Sequence, residues 1–358
     1  MSSPVNLNDA VAIRALDTLQ MIDLTLDYPQ QFRKGLSLGM SFPLPARPER
    51  VDEVVLLGTG GGSAASANLI RSYLHDRCQV PIISVQGYNA PAYVDQHSIV
   101  IAISHSGKTE EILSSASQAL AKGALVIGLG AGGKLREVLS QAGAPYLEVP
   151  GGFMPRIAIG YIMMPILALL QRWGLAPSFA AEFDAAMAEL ARLAGEYAPE
   201  SPVEANRAKQ LAVQLGPYIP VIYGFSDQYD SVAWRIKNQL GENSKYMAFW
   251  NTIPHLHHDE AVGWDMQPEL CRSLGFLLLR DDQSESAQMQ KRWAATTEIL
   301  TERMGRVESV WASGEGRLAR MLSLVMLGDF FTIYMAIQKG VDPTPVAIID
   351  LFKAKVGQ

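Results

Sequence analysis

Apolar runs and amphipathic stretches alternate along most of the chain, separated by short polar or glycine-rich turns. The clearest run, residues 99–103, is unbroken and rich in β-branched side chains, which is typical of a strand buried on both faces. A helical pattern follows it, with one apolar face and a stop at Gly123. This alternation predicts an α/β fold in which parallel sheets carry helices on both faces.

The pattern of apolar and polar positions also predicts the other strands and helices. Strands in the first half are expected at 51–57, 80–85, 124–128 and, as a short peripheral strand, 146–149. Strands in the second half are expected at 219–225, 245–250, 273–279 and 306–311. Helices are expected at 11–38 with an interruption near Pro29, after Gly133, from Pro155 onward, and at 229–240, 287–304 and 317–338.

Because the alternation occurs twice, we expect two units of similar architecture, each with its own core. The predicted boundaries are an N-terminal helical segment and linker at 1–48, a first domain at 49–176, a connector at 177–202, a second domain at 203–340 and a C-terminal tail at 341–358.

The composition narrows the classes of partner. A net charge of −6 without any basic run argues against a nucleic acid partner. Cys78 and Cys271 lie far apart, which favours a reduced, cytoplasmic protein. No signal-peptide pattern is found at the N-terminus, and the longest apolar candidate for a membrane span, residues 157–170, has only 14 residues. We therefore expect a buried helix there and no membrane association.

Three hydroxyl side chains stand between the strand at 99–103 and the helix that follows it. Ser104, Ser106 and Thr109 can donate to an anion where the free N–H groups and the positive dipole end of that helix point. The alternative is that Ser106 or Thr109 only caps the helix, which requires a single hydroxyl. Since the loop supplies three, the favoured interpretation is a phosphate site, and the second half of the chain has no sequence counterpart of it.

Two further segments are candidates for ligand contacts. Residues 58–63 form a glycine-rich turn, but the third glycine of a dinucleotide fingerprint falls on Ser63 and no ribose-binding acid follows the next strand. The turn suits a second phosphate or sugar loop better, with a purely structural turn as the alternative. Arg156 opens an apolar helix after a glycine-rich approach, where it faces either a cavity or solvent.

Acid–base chemistry has two candidates. Glu242 lies in a glycine-bounded junction between a helix and a strand, which can hold a base rigidly, although a turn carboxylate is usually solvated. Residues 255–260 hold three of the six histidines, and a histidine that titrates near neutrality suits work on a sugar hydroxyl. The alternative is a zinc site on these histidines and Asp259, but no distant partner ligand stands out.

Six segments occur together in one order: GGGSAASANLIRSYL at 60–74, SHSGKTEE at 104–111, GGFMPR at 151–156, GENSK at 241–245, HHDEAVGW at 257–264 and GVDPTPVAIIDLFK at 340–353. With this combination the chain resembles the bifunctional phosphoglucose/phosphomannose isomerase family over nearly its whole length. The resemblance implies two SIS (sugar isomerase) domains, each a parallel sheet flanked by helices on both faces.

The resemblance also implies a role for each matching position. The positions that hold the sugar phosphate are Ser63, Ser104, Ser106, Thr109 and Gly62. Arg156 matches an arginine beside the reacting carbons, and Glu242 the base that moves a proton between C1 and C2. His258 matches a histidine that works on the ring oxygen and hydroxyl, and Lys353 in the tail a lysine near the open chain. The implied assembly is a homodimer in which His258 reaches the neighbour's active site.

The implied reaction converts glucose 6-phosphate, and mannose 6-phosphate, to fructose 6-phosphate through ring opening and a cis-enediolate, and it requires no metal or organic cofactor. Departures from the family pattern at His105, Lys108 and Asp259, with an extra glycine in the first loop, bear on phosphate affinity and substrate preference. Two alternatives stay open. One is a non-catalytic SIS module that senses a sugar phosphate, and the other is an isomerase of another sugar phosphate.

Overall fold

The computed structural model describes residues 4–356. Its first sheet contains β1 (Glu53–Leu57), β2 (Ile82–Val85), β3 (Ser98–Ile103), β4 (Leu125–Gly130) and β5 (Tyr146–Glu148). All neighbours are parallel, in the order β2-β1-β3-β4-β5. The central strand β3 is buried along its whole length, as its unbroken apolar run predicts, and the short strand β5 lies at an edge.

Helices cover both faces of this sheet. They are α4 (Ala65–Leu74), α5 (Glu110–Ala121), α6 (Gly133–Gln141) and α7 (Ile159–Arg172). Side chains of β3 alternate between the faces, so that Ile99 and Ile101 pack with α4 and α7 while Val100 and Ala102 pack with α5 and α6. The prediction of an α/β unit with helices on both faces is confirmed.

The N-terminal segment forms three helices, α1 (Ala10–Leu16), α2 (Met21–Leu26) and α3 (Tyr28–Ser41), where one interrupted helix was expected. Pro29 lies in the first turn of α3 and does not cause a break, because a proline there loses no helical hydrogen bond. Helix α3 packs directly on α7: a β-carbon at Gly35 would lie 2.2 Å from the carbonyl oxygen of Gly160. This contact between backbones requires glycine.

The second sheet contains β6 (Ile219–Phe225), β7 (Phe249–Ile253), β8 (Leu274–Arg280) and β9 (Arg306–Trp311), all parallel and in the order β7-β6-β8-β9. Its helices are α8 (Ala180–Tyr197), α9 (Arg207–Leu215), α10 (Asp230–Glu242), α11 (Pro268–Arg272), α12 (Ala287–Arg303), α13 (Gly316–Gln338) and α14 (Ala347–Val356). Strand β7 begins later than predicted, because the residues before it form an irregular connection. The predicted C-terminal tail is largely helix α14.

Helix α13 is the longest helix of the described chain and lies at the centre of the second unit. Its 23 residues are apolar enough to cross a membrane by length and composition, so the expectation that 157–170 is the longest candidate span is wrong. In the fold, 94% of its most apolar 18-residue stretch is buried. The helix packs against α8, α9 and α10. The helix is therefore the core of the second unit, and its buried apolar residues form one continuous cluster with those of the first unit rather than a separate core.

Each sheet has one point at which its connections lead in opposite directions, between β1 and β3 in the first sheet and between β6 and β8 in the second. Such switch points are where parallel sheets bind ligands. At the second, the loop 281–286 is acidic: Asp281 accepts hydrogen bonds from Tyr229 at 2.8 Å and Arg320 at 2.9 Å. The two hydroxyls of this loop have other partners: Ser286 caps α12, and Ser284 accepts from Arg320 at 3.3 Å.

Candidate active site

A cavity of about 960 Å³ lies between the two units. One of its walls is a face of α10, whose side chains follow helical spacing: Trp234, Lys237, Asn238, Gly241 and Glu242. The opposite walls are the turn after β1, the connection that leads to β7, and the segment 341–349. Both units therefore contribute to the cavity.

Glu242 is the last residue of α10, and its carboxylate lies between Gly61 and Arg156. A β-carbon at Gly61 would come within 2.0 Å of Oε1, and Oε2 lies 3.5 Å from Nη1 of Arg156. Burial raises the pKa of Glu242, against the attraction of Arg156, Arg235 and Lys245. A carboxylate that is partly withdrawn from water binds a proton more strongly, as a base for a weak carbon acid must.

Arg156 lies in a short 3₁₀ turn, Pro155–Ile157, that precedes α7. Its side chain is buried, and Nε donates to Oδ1 of Asn243 at 2.8 Å. Nη2 donates to the carbonyl oxygens of Pro343 at 3.1 Å and Thr344 at 2.8 Å. These bonds hold the guanidinium rigidly beside Glu242. The solvent-facing alternative is therefore wrong, and Arg156 is buried next to Glu242 without being among the residues that line the cavity.

The glycine-rich turn after β1 forms a π-helical turn, Gly60–Ala64, that leads into α4. Gly60 and Gly61 line the cavity. A β-carbon at Gly62 would lie 2.4 Å from the carbonyl oxygen of Pro155, so this turn packs directly on the turn that carries Arg156. Ser63, near the end of the turn, is buried. The missing side chain at Gly61 thus permits the close approach of Glu242 from the second unit, while that at Gly62 permits packing within the first unit.

The hydroxyl loop, residues 104–109, follows β3, the neighbour of β1. Thr109 immediately precedes α5, but its side chain makes no capping bond, and its hydroxyl lies 2.9 Å from that of Ser104. Gly107 has a φ of 66°, and a β-carbon there would lie 1.8 Å from the carbonyl oxygen of Gly132. The hydroxyls are not among the residues that line the cavity; they lie at the adjacent strand end, beside the first N–H groups of α5. This geometry suits a phosphate at the switch point.

The chain is similar to named proteins over nearly its full length. It is 36% identical over 338 residues to a bifunctional phosphoglucose/phosphomannose isomerase of Caldicellulosiruptor bescii, which covers 94% of this chain and 99% of that protein. The chain belongs to the bifunctional phosphoglucose/phosphomannose isomerase family. A member of this family from Aquifex aeolicus is 32% identical over 305 residues, 85% of this chain and 90% of that protein.

Residues 204–356 also match the family described as the bacterial phospho-glucose isomerase C-terminal SIS domain. Among solved structures, a glucose-6-phosphate isomerase-like protein from Thermus thermophilus is similar with a TM-score of 0.57 and 18% identity, over 88% of this chain and 94% of that chain. The C-terminal domain of glucosamine-fructose-6-phosphate aminotransferase from Francisella tularensis has a TM-score of 0.66 and 13% identity, over 91% and 98% of the two chains. These two likenesses concern the fold.

Two residues that match motifs of the isomerase family, His258 and Lys353, do not line the cavity of their own chain. His258 is exposed at the end of the turn His255–His258, between β7 and β8. Lys353 is exposed on α14. A single chain of this isomerase family member therefore brings Glu242 and Arg156 together but leaves the other two outside.

The other polar groups of the histidine cluster have partners of their own. His255 lies 3.1 Å from Asp259, and His257 contacts Thr296 at 2.7 Å and Arg292 at 3.0 Å. Within residues 4–356, no three His, Cys, Asp or Glu side chains are grouped so that they could hold a metal ion. The zinc interpretation of this cluster thus finds no ligand set in the described part of one chain.

The two residues of the hydroxyl loop that differ from the family pattern, His105 and Lys108, have different environments. His105 is buried, its Nε2 lies 3.1 Å from the carbonyl oxygen of Pro150, and its ring is tilted against that of Phe153 with centroids 5.4 Å apart. Burial lowers its pKa. Lys108 is exposed. The histidine therefore packs in the structure of this family member, whereas the lysine is accessible beside the hydroxyls.

The sequence motifs point to no role for Lys245, Arg235 or Asp329. Lys245 has a φ of 59°, and its Nζ donates to the carbonyl oxygens of Glu242 at 2.8 Å, Asn243 at 3.1 Å and Pro343 at 2.9 Å. Burial lowers the pKa of Lys245 to about 8. Arg235 and Asp329 form a fully buried ion pair next to the cavity. The one signal in the sequence is that Asp329 is the sole acid in the apolar stretch that forms α13.

Proposed function

We propose that this protein is an aldose–ketose isomerase that interconverts glucose 6-phosphate, and mannose 6-phosphate, with fructose 6-phosphate. The observation that carries the proposal is the Glu242 carboxylate held between Gly61 and Arg156 at the cavity. A base beside a fixed cation, in a site partly closed to water, meets the requirements of proton transfer through an enediolate. The names of the family members support the same reaction.

Glu242 is the proposed base. Once the ring of glucose 6-phosphate has opened, the Glu242 carboxylate takes the proton from C2. The C–H electron pair forms the C1–C2 double bond, and the carbonyl pair moves onto O1. The carboxylic acid then returns the proton to C1, O2 gives its proton to O1, and C2 becomes the ketone of fructose 6-phosphate. Arg156 is the cation that stabilises the enediolate oxygen.

Mannose 6-phosphate differs from glucose 6-phosphate only in the configuration at C2, so both sugars give the same enediolate. One carboxylate can serve both if the bound chain rotates about C2–C3 and presents either face to it. We therefore assign both substrates to the single base Glu242.

The proposed phosphate site consists of the hydroxyl loop and the turn after β1, with Ser63, Ser104, Ser106, Thr109 and the backbone of Gly62. Its support is the meeting of the two loops at the switch point between β1 and β3, together with the start of α5. A dianion held there would place the sugar chain toward the turn at Gly61, which lines the cavity with Glu242.

We infer a homodimer with a shared active site, in which His258 of one chain works on the ring oxygen and hydroxyl in its neighbour, and Lys353 lies near the open chain. The support is that both residues are exposed in segments of the chain that carry exposed apolar side chains. Those near His258 are Phe249, Trp250, Val262 and Met266, and those on α14 are Ile348, Leu351 and Phe352. Such surfaces are usually covered by a partner.

We also infer a cytoplasmic protein without a nucleic acid partner, whose ligands are sugar phosphates. Both cysteines are unpaired in the structure, which fits a reducing compartment. The catalytic assignment of Glu242 and Arg156 favours an enzyme over a module that only senses a sugar phosphate, since phosphate binding alone would require neither.

A second candidate is chemistry on another sugar phosphate. A D-glucosamine-6-phosphate 4-epimerase of Sulfolobus acidocaldarius is 27% identical over 168 residues, 47% of this chain and 51% of that protein. The test is a coupled assay with glucose 6-phosphate, mannose 6-phosphate and glucosamine 6-phosphate side by side, with and without EDTA. We expect turnover of the first two in either condition. Turnover of glucosamine 6-phosphate alone would replace the proposal, and activity that EDTA removes and zinc restores would return the histidine cluster to consideration as a metal site.

A further inference from the structure

A buried polar network lies next to the cavity, between α10 and α13. Arg235 of α10 and Asp329 of α13 are both completely buried. The carboxylate of Asp329 accepts from Arg235 at 2.7 and 3.1 Å, from the Tyr28 hydroxyl at 2.6 Å and from Gln239 at 3.0 Å. The aspartate thereby fixes the guanidinium of Arg235 in one orientation.

The remaining N–H groups of Arg235 reach toward the active site. Nη2 donates to the carbonyl oxygen of Arg156 at 2.9 Å, and Nη1 to that of Gly61 at 3.3 Å. Gly61 and Arg156 are the two residues between which the Glu242 carboxylate lies. One side chain of the second unit thus holds the backbone of both residues that flank the base, and both belong to the first unit.

Removing both charges of a buried ion pair from water costs free energy, and apolar residues of similar volume often stabilise the fold equally well. The network therefore needs a reason beyond stability. We propose that Arg235, held by Asp329, is a positioning residue that fixes Gly61 and Arg156 around the Glu242 carboxylate. This inference rests on the proposed role of Glu242 as the base.

The chain offers a matched control nearer the N-terminus of α13. Arg320 donates to Asp281 at 2.9 Å, and Asp281 accepts from the Tyr229 hydroxyl at 2.8 Å. Both side chains are buried, and neither lines the cavity. This trio repeats the arginine, aspartate and tyrosine of the network at Arg235, but the hydrogen bonds of Arg320 within residues 4–356 lead to the loop 281–284 and not to Gly61 or Arg156.

The test compares Arg235→Met/Asp329→Met with Arg320→Met/Asp281→Met, because removal of both charges leaves no unpaired ion in the core. Melting temperature and circular dichroism establish that both variants fold. We expect kcat to fall by about 10- to 100-fold in the first, since small displacements of a catalytic group have effects of this size. Inhibition by inorganic phosphate, which reports the phosphate loops, should stay as in the wild type, and the control should keep its kcat. Arg235→Lys, which retains the charge, should recover part of the loss.

The pH dependence of kcat/KM provides a second measurement, which a purely structural role of Arg235 would not change. The charged side chains around Glu242 are Arg235 and Lys237 on its own helix, Arg156 on its turn, Lys245 on the following connection, and Asp342 across the cavity. The cation of Arg235 lowers the pKa of Glu242. The single variant Arg235→Met, which removes this cation alone, should therefore move the acid limb of kcat/KM to higher pH, while Arg235→Lys and the control leave that limb in place.

Crystal structures of the two double variants separate this inference from the proposed function. We expect the Gly61 and Arg156 carbonyl groups to shift relative to Glu242 only in the Arg235→Met/Asp329→Met variant. If they keep their positions and kcat equals that of the control, the positioning role is wrong. If the wild type fails to isomerise glucose 6-phosphate, the proposed function is wrong, and the displacement in the crystal still decides whether Arg235 holds the two carbonyls.

Discussion

Gly61 of the first unit lies directly against the carboxylate of Glu242 in the second: a β-carbon at position 61 would come within 2.0 Å of Oε1. No side chain other than hydrogen fits there without moving the carboxylate. The contact joins the turn after β1 to the end of α10, so it fixes the proposed base relative to the loops proposed to hold the phosphate.

Gly61→Ala should therefore lower kcat with little effect on phosphate affinity, because the added methyl displaces Glu242 while the hydroxyl loop stays intact. The expected loss is about 10- to 100-fold in kcat. Gly195→Ala is a suitable control, since a β-carbon at this helical position in α8 meets nothing within 4 Å. It should raise stability by up to about 1 kcal/mol and leave kcat unchanged. Equal kcat values in both variants would show that catalysis does not depend on the contact between Gly61 and Glu242.

Glu242→Gln should reduce kcat by orders of magnitude and leave KM nearly unchanged, since the carboxylate acts in the transition state. The pKa of Glu242 is raised by burial, so the acid limb of the wild-type kcat/KM profile should lie above the usual range of a glutamate. Steady-state rates between pH 4 and 9 measure both effects. A limb at the ordinary glutamate pKa of about 4.3 would mean that another group limits the reaction.

The same shift has a consequence for stability. Because the folded state raises the pKa of Glu242, it binds the proton more tightly than the unfolded chain does. The ionised carboxylate thus destabilises the fold at pH values above the folded pKa, and this cost disappears as the pH falls below the unfolded value. Glu242→Gln, which resembles the protonated acid, should melt at a higher temperature than the wild type at pH 8, and the difference should vanish toward pH 4. A variant that melts lower at pH 8 would contradict the direction of the shift.

The sequence pattern predicted most of the fold because strands buried on both faces, such as β3, are unbroken apolar runs and because glycines mark the turns. It failed where tertiary packing determines the conformation. Strand β7 begins at Phe249 because the residues before it connect α10 to the sheet, with Lys245 in a left-handed conformation held by three carbonyl oxygens. Nothing local in the sequence specifies that arrangement.

The sequence suggested candidate residues for the site but not their arrangement. Motifs identified Glu242 and Arg156, while only the fold reveals that Gly61 and Arg156 flank the carboxylate. The network of Arg235 and Asp329 was missed because its members lie 94 positions apart on two helices, and each alone resembles an ordinary helical charge.

Ser104→Ala and Thr109→Ala should weaken the binding of 6-phosphate sugars and of inorganic phosphate. A hydrogen bond to a charged partner contributes about 1.5–3 kcal/mol. Because the two hydroxyls lie 2.9 Å apart, we expect the double variant to lose less than the sum of the single losses. Ser117→Ala, on the exposed side of α5, serves as the control and should bind phosphate normally. The inhibition constant of phosphate as a competitive inhibitor is measured for the two single variants, the double variant and the control. If the loop variants are inhibited as strongly as the wild type, the anion binds elsewhere.

The shared site can be tested by mixing inactive chains. Glu242→Ala and His258→Ala chains, unfolded and refolded together, should pair at random, so that about half of the dimers are mixed and hold one intact site each. Activity should return to about a quarter of the wild-type value. Activity that stays at the background of the separate variants would show that His258 acts within its own chain, leaving the isomerase proposal intact.

The central claim is that one carboxylate, Glu242, moves a proton through an enediolate. It is tested most directly by incubating fructose 6-phosphate with the enzyme in D₂O for many turnovers and locating deuterium by NMR. Because the proton on Glu242 exchanges with solvent in part of the turnovers, we expect deuterium at C2 of both glucose 6-phosphate and mannose 6-phosphate and at C1 of the remaining fructose 6-phosphate, and none with Glu242→Gln. Products that form without deuterium at C2 would indicate direct hydride transfer between the carbons and would contradict the role of Glu242.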